Sequence, residues 1–74
     1  MWVGRVPREL ILAEIDWRVD LGSPFVFHVE REGVGWSLRV NDFPDEVMFS
    51  LFRAGVLVAE FDDRPVGWHL HREF

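Results

Sequence analysis

The segment IDWRVDLGSPFVFHVEREGVGWSLRV, residues 15–40, decides the fold of this chain. Apolar and polar residues alternate along it: Ile15, Trp17 and Val19 occupy odd positions, and charged residues occupy the even positions between them. Such alternation is typical of strands that bury one face. Glycine and proline interrupt the pattern, so the segment predicts three antiparallel strands, over residues 15–21, 25–31 and 35–41.

The alternation also predicts how these strands pair. A loop at residues 22–24 joins the first two strands, and a two-residue turn involving Gly33 joins the next two. Shifting the second register by one residue would place apolar side chains opposite Ser37 and Arg39. The expected pairs are Leu21 with Phe25, Val19 with Phe27, Trp17 with Val29, Phe25 with Val40, Phe27 with Leu38 and Val29 with Trp36.

A second hairpin is expected over residues 47–61, closed by a three-residue loop in which Gly55 is left-handed. Its expected pairs are Phe52 with Val56, Leu51 with Leu57, Phe49 with Ala59 and Val47 with Phe61. The opposite face carries Met48, Phe52, Val56 and Val58. We expect the N-terminal segment to cover that face, through Trp2, Val3, Leu10 and Leu12.

The two ends of the chain complete the predicted fold. Residues 7–14 fit either a short helix, since Pro7 suits a first helical turn, or an extension of the first strand. Residues 66–70 alternate as a short last strand. The sequence therefore predicts a single domain over residues 1–74 that is mainly β. We expect an antiparallel meander of five or six strands, as a curled sheet or a small partly open barrel, with a possible short N-terminal helix.

Composition argues against several classes of protein. The 74 residues contain no cysteine, so four Trp and seven Phe must supply most of the stabilising burial. No apolar run reaches the length of a signal peptide or a membrane span, which leads us to expect a soluble, cytoplasmic protein. The sequence contains no motif for a catalytic nucleophile or a cofactor, so we expect a protein that is not an enzyme.

Negative charge is concentrated in one third of the chain. Residues 41–63 contain six carboxylates and one Arg, while the other seven acidic residues are balanced by seven Arg, so this stretch carries the whole net charge of −5. Such a surface repels a nucleic-acid backbone. The predicted register sets Glu46 opposite Asp62 and Asp45 opposite Asp63, which brings both acidic ends of the hairpin together.

Converging carboxylates have three interpretations. They can steer a basic partner protein, ligate Ca²⁺, or reflect the turn preference of Asp and the role of charge in protecting strand ends. For the first, we predict a docking surface in which carboxylates steer the partner and Phe43 is the buried anchor. Its residues would be Asp42, Phe43, Asp45, Glu46, Asp62, Asp63 and Trp68.

Histidines raise a second metal hypothesis. His69 and His71 are two residues apart, so they point to one side of the last strand, and His28 can lie on another strand. Imidazoles in such a position can bind Zn²⁺. Solvated histidines without a metal are the simpler interpretation.

Two short motifs, NDFPDE at residues 41–46 and FDDRPVGW at residues 61–68, flank the hydrophobic hairpin. In this pattern the chain resembles a group of small uncharacterised bacterial proteins over residues 36–68. Small acidic proteins of this kind resemble immunity proteins that neutralise a cognate toxin. The resemblance implies an acidic inhibitor or immunity-type protein that docks on a basic face of a partner such as a toxin. The alternatives are a metal-binding module and a structural homodimer or subunit.

Overall fold

The computed structural model describes residues 3–72, which form one sheet and one short helix. The elements are β1 (Val3–Gly4), α1 (Arg8–Ile11), β2 (Ile15–Asp20), β3 (Ser23–Arg31), β4 (Val34–Val40), β5 (Phe49–Arg53), β6 (Val56–Phe61) and β7 (Trp68–His71). The strands lie in the order β1, β6, β5, β4, β3, β2, β7, and the sheet is not closed into a barrel. The predicted mainly β meander is confirmed, and the short N-terminal helix is α1.

The turn between β3 and β4 follows the prediction. Phe27 pairs with Leu38, and Val29 pairs with Trp36. The two central residues of the turn both have positive φ, 52° at Glu32 and 78° at Gly33. This is the type I′ arrangement, whose twist matches that of the strands it joins.

The turn between β2 and β3 differs from the prediction. Val19 does pair with Phe27, but Asp20 pairs with Ser23, so the connection is a two-residue turn and not a loop at residues 22–24. A register shift between Val19 and Asp20 absorbs the difference. Leu21 and Phe25 consequently lie beyond the packed core, with exposed fractions of 83% and 59%.

The predicted register of β5 against β6 is also wrong. Arg53 pairs with Val56 across a two-residue turn, and a shift between Leu51 and Phe52 re-phases the strands. Leu51 then faces Ala59, and Phe49 faces Phe61. This arrangement buries all four side chains of those two pairs on the core face, whereas Leu57 pairs with Phe52 on the outer face and is 41% exposed.

Strand β7 departs from the meander, because it pairs in parallel with β2 at the far side of the sheet from β6. Four strands separate β6 from β7, yet the rings of Phe61 and Trp68 lie 5.9 Å apart between centroids. The sheet is therefore strongly curled. The Trp68 indole N–H donates to the Leu10 carbonyl at 2.7 Å, and the Ile15 N–H donates to the Gly67 carbonyl at 2.8 Å. These bonds hold α1 and residues 62–67 over the core face.

Leu10 and Leu12 do not cover the outer face of β5 and β6 as predicted. Leu10 is in the core, Leu12 is 73% exposed, and β1 pairs edge to edge with β6. Trp2 lies outside the described residues. The side chains of Met48 and Phe52 are half-buried, so this outer face stays partly open to solvent. The core itself lies on the opposite face and comprises Leu10, Ile15, Trp17, Val19, Phe27, Trp36, Leu38, Phe49, Leu51, Ala59, Phe61 and Trp68.

The Trp68 hydrogen bond can be tested with a matched pair of variants. We expect Trp68→Phe to lower the free energy of unfolding by about 0.5–1.5 kcal/mol more than Trp17→Phe does, because it also removes the shorter of the two hydrogen bonds that the Leu10 carbonyl accepts, from the indole at 2.7 Å and from the Ala13 N–H at 3.4 Å. Both changes remove the same atoms from a fully buried indole, but the Trp17 N–H has no hydrogen-bond partner among residues 3–72. Urea denaturation measures both values, and equal losses would show that the bond to Leu10 contributes nothing.

Candidate docking surface

The loop between β4 and β5 holds most of the predicted docking residues in a defined shape. The Asn41 N–H donates to the Met48 carbonyl at 2.8 Å, which closes the base of the loop. Its side-chain amide donates to Ser50 Oγ at 2.7 Å. Within the loop, the Glu46 N–H donates to the Asp42 carbonyl at 2.9 Å, and the Asp42 N–H donates to Glu46 Oε1 at 3.2 Å. These reciprocal bonds preorganise the loop tip.

Phe43 stands out from this loop. Its side chain is 53% exposed, and the following peptide bond to Pro44 is cis. The Phe43 N–H donates to the Asn41 carbonyl at 3.1 Å, which anchors the backbone beneath the ring. The predicted anchor residue is thus accessible on an ordered turn, between the carboxylates of Asp42 and Asp45.

The carboxylates do not pair across the hairpin as predicted. Phe49 pairs with Phe61, so Met48, and not Glu46, comes opposite Asp62. Asp62 Oδ1 accepts a hydrogen bond from the Met48 N–H at 3.0 Å, whereas Glu46 folds back onto its own loop. The bulge that re-phases β6 is the physical reason. Asp62 still lies at the base of the acidic loop, although the facing pair with Glu46 does not form.

A hollow beside the acidic loop adds residues that the sequence analysis did not assign to the site. It has a volume of about 380 Å³ and is lined by residues from β3, β4 and the loop, among them Phe25, Arg39, Asp42 and Glu46. Phe25 was predicted to pair within the sheet, but its ring is 59% exposed. Gly22 and Pro24 were the available signal, because such residues often end regular strand packing.

Two predicted docking residues lie elsewhere. Trp68 is 1% exposed and belongs to the core, so it cannot contact a partner at this surface. Its apolar position in the strand pattern already favoured burial. Asp63 is exposed but lines a different groove, between α1 and residues 61–66. The surface is therefore formed by Phe25, Asp42, Phe43, Asp45, Glu46 and Asp62.

The acidic residues of this surface are electrostatically unmatched. Within residues 3–72, the ion pairs are His69 with Glu14 at 3.7 Å and His71 with Asp16 at 2.8 Å. None of the docking carboxylates takes part in one. Arg39 lines the hollow beside the acidic loop, but within residues 3–72 it forms no ion pair with the docking carboxylates. A surface with unpaired carboxylates attracts a cationic partner over about 8–10 Å at ordinary ionic strength.

The histidines are arranged differently from a metal site. His69 and His71 do lie on one side of β7, but each faces its own carboxylate. His28 lies on β3, which β2 separates from β7, and it lines a shallow hollow of about 740 Å³ on the outer face. The described residues contain no group of three or more His, Asp or Glu placed to hold a metal ion.

Comparison with known proteins yields no relative, since no family model, curated protein or solved structure matches this chain. The resemblance to small acidic bacterial proteins therefore stays a hypothesis that rests on the two quoted motifs. Residues 3–72 include no helix with the length and apolar character needed to cross a bilayer.

The contact between His71 and Asp16 predicts how the stability of the fold depends on pH. The hydrogen bond from the His71 ring, above all, holds the pKa of Asp16 below its ordinary value of 3.8. Because the folded state favours the ionised carboxylate, its stabilisation is present above pH 3.8 and is lost as the pH falls through the lower folded pKa. We expect Asp16→Asn to melt at a lower temperature than the wild type at neutral pH. Thermal melts at decreasing pH should show the gap closing, and a gap independent of pH would contradict this role.

Proposed function

We propose that this chain is a non-enzymatic protein-binding module that docks its acidic loop on a basic surface of a partner protein. The concrete form is an inhibitor or immunity-type protein, which neutralises its partner by covering that surface. The observation that carries the proposal is the half-exposed Phe43 held between unpaired carboxylates on an ordered loop. Interfaces commonly place an aromatic anchor at the centre and charged groups around it.

Preorganisation supports docking by this loop. Binding costs about 0.5–1.5 kcal/mol for each flexible side chain that must be immobilised, so an ordered loop retains more of its contact energy. Here the bonds of Asn41 to Met48 and Ser50, together with those between Asp42 and Glu46, fix the backbone before a partner arrives. The ring of Phe43 can then enter a pocket with little further ordering.

The hollow beside the loop supports a partner with a protruding cationic group. Asp42 and Glu46 form part of its wall, and the exposed ring of Phe25 forms another part. An Arg side chain of the partner would stack on an aromatic face and reach carboxylates at the same time. This combination favours a basic protein surface over a small metal ion as the ligand.

The proposal predicts that charge and anchor contribute differently to binding. Asp42→Asn with Asp45→Asn removes two charges and keeps the side-chain hydrogen bonds that Asn41 and Glu46 make in the loop, so it should slow association and flatten its salt dependence. Phe43→Ala should instead speed dissociation and weaken binding by about 2 kcal/mol, roughly 30-fold. The matched control is Glu30→Gln with Glu32→Gln, which removes two charges near the opposite end of β3.

The measurement begins with capture from the source cells. Wild-type and control baits should retain the same protein, and both loop variants should lose it. The captured protein is then purified, and its association and dissociation rates are measured against all four chains over a range of salt. Binding that is equal for the loop variants and the control would reject this surface as the docking site.

A further inference from the structure

A second surface of this acidic protein has the opposite character. Residues leaving β1 through α1 and residues 61–66 together form a groove of about 700 Å³. Its lining is largely apolar and includes Val6, Ile11 and Val66. Ile11 is 45% exposed and Val66 is 99% exposed, so neither is covered by the rest of the chain described here. Exposed apolar groups grouped in a groove are typical of interaction sites.

The rim of this groove is basic. Arg5, Arg8 and Arg64 line it, against the single carboxylate of Asp63, which is three positive charges minus one, or +2. All three Arg are exposed, and none forms an ion pair within residues 3–72. In a chain of net charge −5, this local excess of positive charge forms no ion pair with any carboxylate of residues 3–72. The groove therefore suits an apolar group that is flanked by carboxylates.

The chain itself carries such a group. The acidic loop presents Phe43, 53% exposed, between the carboxylates of Asp42, Asp45 and Glu46. Loop and groove are also neighbours on the molecule, because Asp62 bonds to the Met48 N–H at the base of the loop while the next four residues line the groove. Two complementary surfaces lying side by side can meet reciprocally in a two-fold dimer.

We propose that the occupant of this groove is the acidic loop of a second copy of this chain, in a two-fold dimer with two equivalent contacts. In each contact, Phe43 of one copy packs on Val6, Ile11 and Val66 of the other, and the loop carboxylates lie against the Arg rim. Because these charges form no ion pair within residues 3–72, their pairing across the dimer breaks none there. The paired charges of this interface stay exposed to solvent, so the affinity of the dimer falls as the salt concentration rises.

Dimerisation would also regulate the docking of a partner protein, and this consequence rests on the proposed function. The same loop cannot occupy the groove of a second copy and the surface of a foreign partner together. By mass action, high concentrations of the chain would favour the dimer, and a tight partner would draw monomers out of it. The self-association itself does not depend on any foreign partner.

Charge reversal tests the dimer directly. Asp42→Arg with Asp45→Arg makes the loop basic and leaves the groove basic, so two such copies repel; Arg5→Asp with Arg64→Asp makes the groove acidic and leaves the loop acidic, with the same result. We expect each variant alone to dimerise at least about tenfold more weakly than the wild type. An equimolar mixture of the two should recover the dimer, because both of its contacts are then attractive.

Sedimentation equilibrium from micromolar to submillimolar protein, at low and at high salt, measures these affinities. The wild type should dimerise, more weakly at high salt, and Glu30→Arg with Glu32→Arg should leave the dimer intact. A monomeric wild type at low salt, a mixture that associates no better than its components, or growth into larger assemblies would each overturn the proposal. Since recovery on mixing requires folded variants, misfolding cannot imitate the expected result. A monomeric wild type whose loop variants still lose a captured partner would refute the dimer and leave the proposed function standing.

Discussion

The fold depends on a run of aromatic contacts that connects its two ends. Trp17 lies 5.1 Å from Trp68, Trp68 lies 5.9 Å from Phe61, and Phe61 lies 5.5 Å from Phe49 between ring centroids. These rings join β2 and β7 to β5 and β6 across the curled sheet. A domain of this size has a net stability of roughly 3–5 kcal/mol, and each buried aromatic ring contributes about 1.5–3 kcal/mol. The curl is therefore maintained by these side chains, in the absence of any disulfide.

The same contacts position both surface sites. Trp68 bonds to Leu10 and so fixes the helical segment, and Gly67 lies so close to this segment that an added Cβ would be 2.5 Å from the Ala13 carbonyl oxygen. This close approach holds residues 62–67 against the N-terminal segment and forms the basic groove between them. Burial of Phe61 against Phe49 fixes the end of β6, and with it the bond of Asp62 to the base of the acidic loop.

Charge on this molecule is concentrated on two surfaces, the acidic loop and the basic groove, and is not uniformly negative. The acidic loop exposes Phe43, and the basic groove exposes Ile11 and Val66. Exposed apolar groups lower solubility unless a partner covers them, and their position beside unpaired charge is the basis of both the proposed docking and the proposed dimer. For the proposed contacts, charge would govern how fast a partner arrives, and the apolar anchor would govern how long it stays.

The sequence by itself determined the alternation of apolar and polar residues along the strands. This alternation sets which side chains enter the core. Trp17, Phe27, Trp36, Leu38 and Phe61 are all buried on the face that parity assigned to them, and the strand that begins at Ile15 does begin there. It also located the acidic loop and its exposed Phe43, because turn residues and carboxylates are local features.

Tertiary structure alone decided the two register shifts, the parallel pairing of β7 and the basic groove. A bulge moves the register by one residue at little local cost. The packing of distant rings selects the bulge, so the residues next to it do not predict it. For that reason the predicted pairing of Glu46 with Asp62 was wrong. The prediction that Phe25 packs inside the sheet was wrong for the same reason. Arg5 and Arg8 are far from Arg64 in sequence, and they share a groove with it only because Phe61, Trp68 and Leu10 draw both ends of the chain together.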